Sequence, residues 1–66
     1  MTVIINGDSK NITPNTSLKK ALTDLGLDGK VMAAAINMEI VKQDNWDTYM
    51  LKDGDKLELL DFVGGG

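Results

Sequence analysis

The chain has 66 residues with seven lysines, no arginine, ten acidic residues, no cysteine and no histidine, for a net charge of −3. A chain of this length makes one small domain that buries only about 60% of its unfolded surface. Without Cys or His there is no disulfide framework, no Cys-based zinc site and no Ser–His or Cys–His nucleophile pair, which argues against an autonomous enzyme. The acidic balance argues against nucleic acid, whose phosphates call for a basic face, and permits a basic protein partner.

The first residues, Met1-Thr2-Val3-Ile4-Ile5-Asn6, have neither the positive n-region nor the long apolar run of a signal peptide. No apolar run approaches the ~20 residues of a membrane span. A soluble cytoplasmic domain is expected, and the lack of cysteine agrees with a reducing compartment. The β-branched run Val3 to Ile5 predicts a strand, and Asn6-Gly7-Asp8 predicts a tight hairpin, because a type I′ turn needs positive φ at both central residues. The return strand is expected over Lys10 to Thr13, with Ile12 inward. If Met1, Val3 and Ile5 point inward, Ile4 points outward, since successive strand residues face opposite ways.

Pro14-Asn15-Thr16 ends the hairpin. Ser17 reads as a helix N-cap. Leu18, Ala21, Leu22 and Leu25 follow at i, i+3, i+4 and i+7, the apolar stripe of a short helix that packs on the core. Gly26 stands where a left-handed residue would end it. After the loop Leu27 to Lys30, the run Val31 to Ile36 is too short for a typical helix and is expected as a strand. Met32, Ala34 and Ile36 should face inward, and the alanines should leave room for the helix. Glu39-Ile40-Val41 is a further short strand after a tight turn.

Gln43 to Leu51 reads as irregular with one turn of 3₁₀-helix, and Trp46 as a core plug with a satisfied indole N–H. Asp53-Gly54-Asp55 is a turn. Its carboxylates lack the rest of a calcium loop, so no metal site is expected. Lys56 to Phe62 is the last strand, with Leu57 and Leu59 inward and Leu60 and Phe62 outward. Ile4 would join that outer patch if the first and last strands are neighbours, and an exposed apolar patch marks a binding site. One helix covers one face of a four- or five-stranded sheet and leaves the other open.

The chain closes on Val63-Gly64-Gly65-Gly66. Glycines there add nothing to a core. They are expected to form a flexible tail over 63–66, after a domain over 1–62, ending in an unhindered carboxylate.

Ala35-Ile36-Asn37-Met38-Glu39-Ile40-Val41, then Trp46, then Leu51-Lys52-Asp53-Gly54-Asp55-Lys56-Leu57-Glu58-Leu59, then the glycine end, together resemble the ThiS family. These are the sulfur carriers of thiamin thiazole synthesis, with a ubiquitin-like β-grasp fold. The resemblance spans the whole chain. Met38 departs from it, standing where the family often has glycine, and this bears on the geometry of one turn. The resemblance implies an α+β fold, a mixed sheet with one helix on one face. It implies a carrier that is not itself an enzyme. A partner adenylating enzyme, using ATP and magnesium, would activate the Gly66 carboxylate. A sulfur donor such as a desulfurase persulfide would convert it to a thiocarboxylate, and thiazole synthase would receive the sulfur. Gly64 and Gly65 would thread a narrow channel in the partner. Ile4, Leu60, Phe62 and Val63 are assigned to partner binding, with Glu58 and Asp61 meeting basic groups. No cofactor is expected to stay bound, and the free chain is expected to be a monomer. Alternatives are a molybdopterin synthase small subunit, which shares the fold and the Gly-Gly end, a ubiquitin-like covalent modifier, and a non-catalytic interaction domain.

Overall fold

The computed structural model describes residues 1–61. Its elements run β1 (Thr2–Ile5), β2 (Asp8–Asn11), α1 (Leu18–Asp24), β3 (Val31–Ile36), β4 (Glu39–Val41), a 3₁₀ turn (Gln43–Asn45) and β5 (Lys56–Asp61). The strands form one five-stranded sheet in the order β2-β1-β5-β3-β4. β1 runs parallel to β5, and every other pair is antiparallel. The last strand therefore lies at the centre of the sheet. This is the mixed sheet with a single helix of a β-grasp fold.

Asn6 and Gly7 both take positive φ, as the expected hairpin turn requires. The two-residue turn starts the return strand at Asp8 rather than Lys10, so β2 is Asp8–Asn11 and not Lys10–Thr13. Ile12 lies just beyond it. Its N–H donates to the Met1 carbonyl, and its carbonyl accepts from the Met1 ammonium, each at 2.8 Å. This extra rung leaves Ile12 packed against the core.

Seven residues are too few for a helix to hold itself together in water, and α1 is secured at both ends. Ser17 Oγ accepts from the Lys20 N–H at 3.1 Å. The N–H groups of Leu18 and Lys19 donate to the carbonyls of Tyr49 and Trp46 at 2.8 and 2.9 Å. The first-turn donors that no helical carbonyl can reach are thus taken by the cap and by the segment after the 3₁₀ turn. At the other end Gly26 has φ 74°. Its N–H donates to the Thr23 carbonyl, and the Leu27 N–H to the Leu22 carbonyl, which is a Schellman closure.

The core gathers Val3 and Ile5 from β1, Leu18, Ala21 and Leu22 from α1, Val31, Ala34 and Ile36 from β3, and Val41, Trp46, Leu51 and Leu57. The Trp46 indole N–H donates to the Val41 carbonyl at 2.8 Å, which satisfies the buried polar atom. Met32 is a correction: it is 47% exposed, and Val31 is buried in its place. The register shifts at this point, because Val31 lies opposite Asp61 and Ala33 opposite Leu60. Two steps along β3 match one along β5, and the extra residue of this bulge inverts the facing of everything before it. Of the three alanines, only Ala34 is in the core. Ala33 and Ala35 are half-buried and pair with residues of the open face.

Candidate functional site

The side of the sheet opposite α1 can be read from the pairing, since directly opposed residues share a face. Ile4 lies opposite Ser9 on one side and Lys56 on the other. Further along β5, Glu58 lies opposite Ala35, and Ala35 opposite Ile40. Leu60 lies opposite Ala33. The open face therefore carries Ile4 with Lys56 at one end, the row of Glu58, Ala35 and Ile40 across its middle, and Leu60 with Ala33 at the other end.

The expected neighbourhood of Ile4 and Leu60 does not form. β1 and β5 are neighbours, but Ile4 is level with Lys56, four residues before Leu60. At ~3.3 Å per residue that is about 13 Å along the strand, with Lys56 and Glu58 between. Ile4 is half-buried and lines a shallow depression with Asn6, Gly7, Lys56, Leu57 and Glu58. Leu60 is 54% exposed and Ile40 79% exposed. Ile40 joins the open face beyond the expected site residues, and its signal lies in the sequence. A two-residue turn at Asn37-Met38 sets Ile36 against Glu39, hence Ala35 against Ile40, and turns Ile40 outward once Ile36 is inward. Phe62, Val63, Gly64, Gly65 and Gly66, with the Asp61 side chain, lie outside the described residues.

Two turn asparagines hold β5 from either side. Asn37 donates from its backbone N–H to the Lys56 carbonyl at 2.8 Å, and its Oδ1 accepts from the Lys56 N–H at 3.0 Å. Its Nδ2 donates to Asp55 Oδ1 at 3.0 Å. Asn6 donates from its backbone N–H to the Leu57 carbonyl at 2.9 Å, and its Oδ1 accepts from the Leu59 N–H at 2.8 Å. The Asp53-Gly54-Asp55 turn has a structural use as well. Asp55 Oδ2 accepts from the Lys52 N–H, and Asp53 Oδ1 from the Thr2 N–H. The Gly54 N–H donates to the Thr2 carbonyl at 2.7 Å. Asp53 and Gly54 stitch the turn to the start of β1, while Asp55 closes the turn on Lys52 and ties it to Asn37. Among the described residues no group of three or more acidic side chains is arranged to hold a metal ion, and no helix is long and apolar enough to cross a membrane.

The ThiS family model matches residues 3–66, nearly the whole chain and through its last glycine. The chain belongs to the ThiS family. Its fold is that of the ThiS thiamine biosynthesis protein of Geobacter metallireducens. The crystal structure of that protein superposes with a TM-score of 0.82 at 27% identity, covering all of both chains. Its solution structure gives 0.79 at 26% identity, covering all of this chain and 88% of the other. The chain is also 36% identical, over all 66 residues, to part of a thiazole synthase of Paramagnetospirillum magneticum. A thiazole synthase of Magnetococcus marinus is 29% identical over the same length. This ThiS chain spans 20% of the length of each of those two proteins.

The turn expected before Glu39 forms with methionine at position 38. Asn37 and Met38 have φ of 51° and 72°, the pair of positive values that a type I′ turn needs.

Proposed function

We propose that the chain carries sulfur as a thiocarboxylate on Gly66. The observation that supports this best is the ThiS match running through residue 66, on a chain without Cys or His. A carboxylate is a poor electrophile until one oxygen becomes a leaving group. In the first step a Gly66 oxygen attacks the α-phosphorus of ATP on a partner adenylating enzyme, with magnesium on the phosphates. The α–β anhydride breaks and pyrophosphate leaves. A sulfur nucleophile then attacks the acyl carbon, the C–O bond to phosphate breaks and AMP leaves. Sulfide gives the thiocarboxylate directly. A persulfide gives an acyl disulfide, which a thiol reduces to the thiocarboxylate. Gly64 and Gly65 have no Cβ to obstruct a narrow channel, and the exposed Leu60 and Ile40 of the open face supply apolar contact for docking.

Thiazole synthase is the proposed acceptor. What supports it is the similarity of the whole chain to a fifth of two thiazole synthases. The test is intact mass after incubation with ATP, the adenylating enzyme of the same organism and a sulfur source. A gain equal to one oxygen replaced by sulfur, localised to Gly66, is expected. No gain with an enzyme that charges its own cognate carrier would overturn the reading. Lysine conjugates instead of free thiocarboxylate would select a covalent modifier.

A further inference from the structure

Strand β1 stops at Ile5 because the chain turns at Asn6-Gly7, while β5 continues to Asp61. On its β3 side β5 stays paired to the end, with Val31 opposite Asp61. On its β1 side the last backbone bond runs from the Asn6 N–H to the Leu57 carbonyl. In a parallel ladder the Leu59 N–H would next donate to the backbone carbonyl of residue 6. Here the Asn6 side chain supplies that acceptor. The Leu59 N–H donates to Asn6 Oδ1 at 2.8 Å, and Asn6 Nδ2 donates to the Leu59 carbonyl at 3.3 Å. A primary amide offers the same donor and acceptor as a peptide, so this side chain adds one rung to β1 beyond the turn.

We propose that Asn6 is a positioning residue for the reaction at Gly66, acting through Leu59; this rests on the reading of Gly66 as the reactive group. Leu59 stands two residues before the end of β5. Gripped from the β3 side and by Asn6, it fixes the base from which Gly66 must reach a partner's site. Without the Asn6 amide, that side of β5 loosens. β5 is then held over its last residues from the β3 side alone, its direction spreads, and the effective concentration of the carboxylate at the partner's site falls. Docking through Leu60 and Ile40 uses β5, β3 and β4 and does not involve Asn6. The loss should therefore appear in turnover of the docked complex rather than in docking.

The test compares wild type, Asn6→Gly and Asn6→Asp, with the carrier as varied substrate of the adenylating enzyme of the same organism and pyrophosphate release as readout. Asn6→Gly removes the amide and keeps a residue that accepts the turn's positive φ, so the hairpin survives. Asn6→Asp keeps an acceptor for the Leu59 N–H but sets an oxygen against the Leu59 carbonyl. The expected result for both is a kcat lowered on the order of tenfold at a KM within about twofold of wild type, with faster hydrogen exchange at the Leu59 amide. A residue that merely stabilised the fold would lower the folded fraction, raising apparent KM at unchanged kcat. That outcome, or wild-type kinetics in Asn6→Gly, overturns the proposal alone. A wild-type chain that is not charged at all overturns the Gly66 reading and the proposal with it.

Discussion

Met38 holds φ at 72° with its side chain 89% exposed. A left-handed conformation costs a residue with a Cβ roughly 1–2 kcal/mol, and no packing offsets it. Met38→Gly is therefore expected to stabilise the domain by about 0.5–1 kcal/mol, after allowing for the greater entropy of glycine in the unfolded chain. The neighbouring Asn37 differs, because its side chain is bonded to Lys56 and Asp55. A denaturant midpoint that fell in Met38→Gly would mean that the turn depends on the methionine side chain. Trp46 is the opposite case, buried with its one polar atom satisfied. Trp46→Phe leaves the Val41 carbonyl without that donor and removes packed volume, at an expected cost of about 1–3 kcal/mol.

Among the elements, α1 depends most on its surroundings. Its N-terminal donors are divided between Ser17 and the carbonyls of Trp46 and Tyr49. Ser17→Ala should cost about 1 kcal/mol. For a domain of this size that is about 4–8 °C in Tm. A larger fall would show that the cap also holds the 46–51 segment in place, to which Ser17 is joined by a bridge at Met50. The bulge in β3 acts on a different scale, since one unmatched residue decides that Val31 and not Met32 fills the core.

For the whole molecule, the decisive arrangement is a central strand that is also the last one. Its buried side carries the core through Leu57, and its open side offers Leu60 opposite Ala33, one row on from Glu58, Ala35 and Ile40. Ile40 is largely exposed and should tolerate Ile40→Lys with a stability change within about 0.5 kcal/mol. The same substitution is expected to weaken binding to the adenylating enzyme on the order of tenfold, measured by titration calorimetry. Unchanged affinity would move the docking surface off this part of the sheet. Deleting Gly66 should leave Tm unchanged and abolish charging, read by intact mass.

By itself the sequence determined each local element whose cause lies within a few residues. The Asn6-Gly7 turn, the Ser17 cap, the apolar stripe of α1, the Gly26 stop and the buried role of Trp46 are all local chemistry. It also determined the family, through motifs spread along the whole chain. Only the tertiary structure decided what depends on the partner strand. Register against β5 placed the bulge that turns Met32 outward and set Ile4 and Leu60 apart on the open face. It also brought the amides of Asn6 and Asn37 against β5 from either side. Side-chain facing alternates with a period of two residues, so a single unmatched residue reverses it. A chain read alone carries no record of where the strand beside it will supply that mismatch.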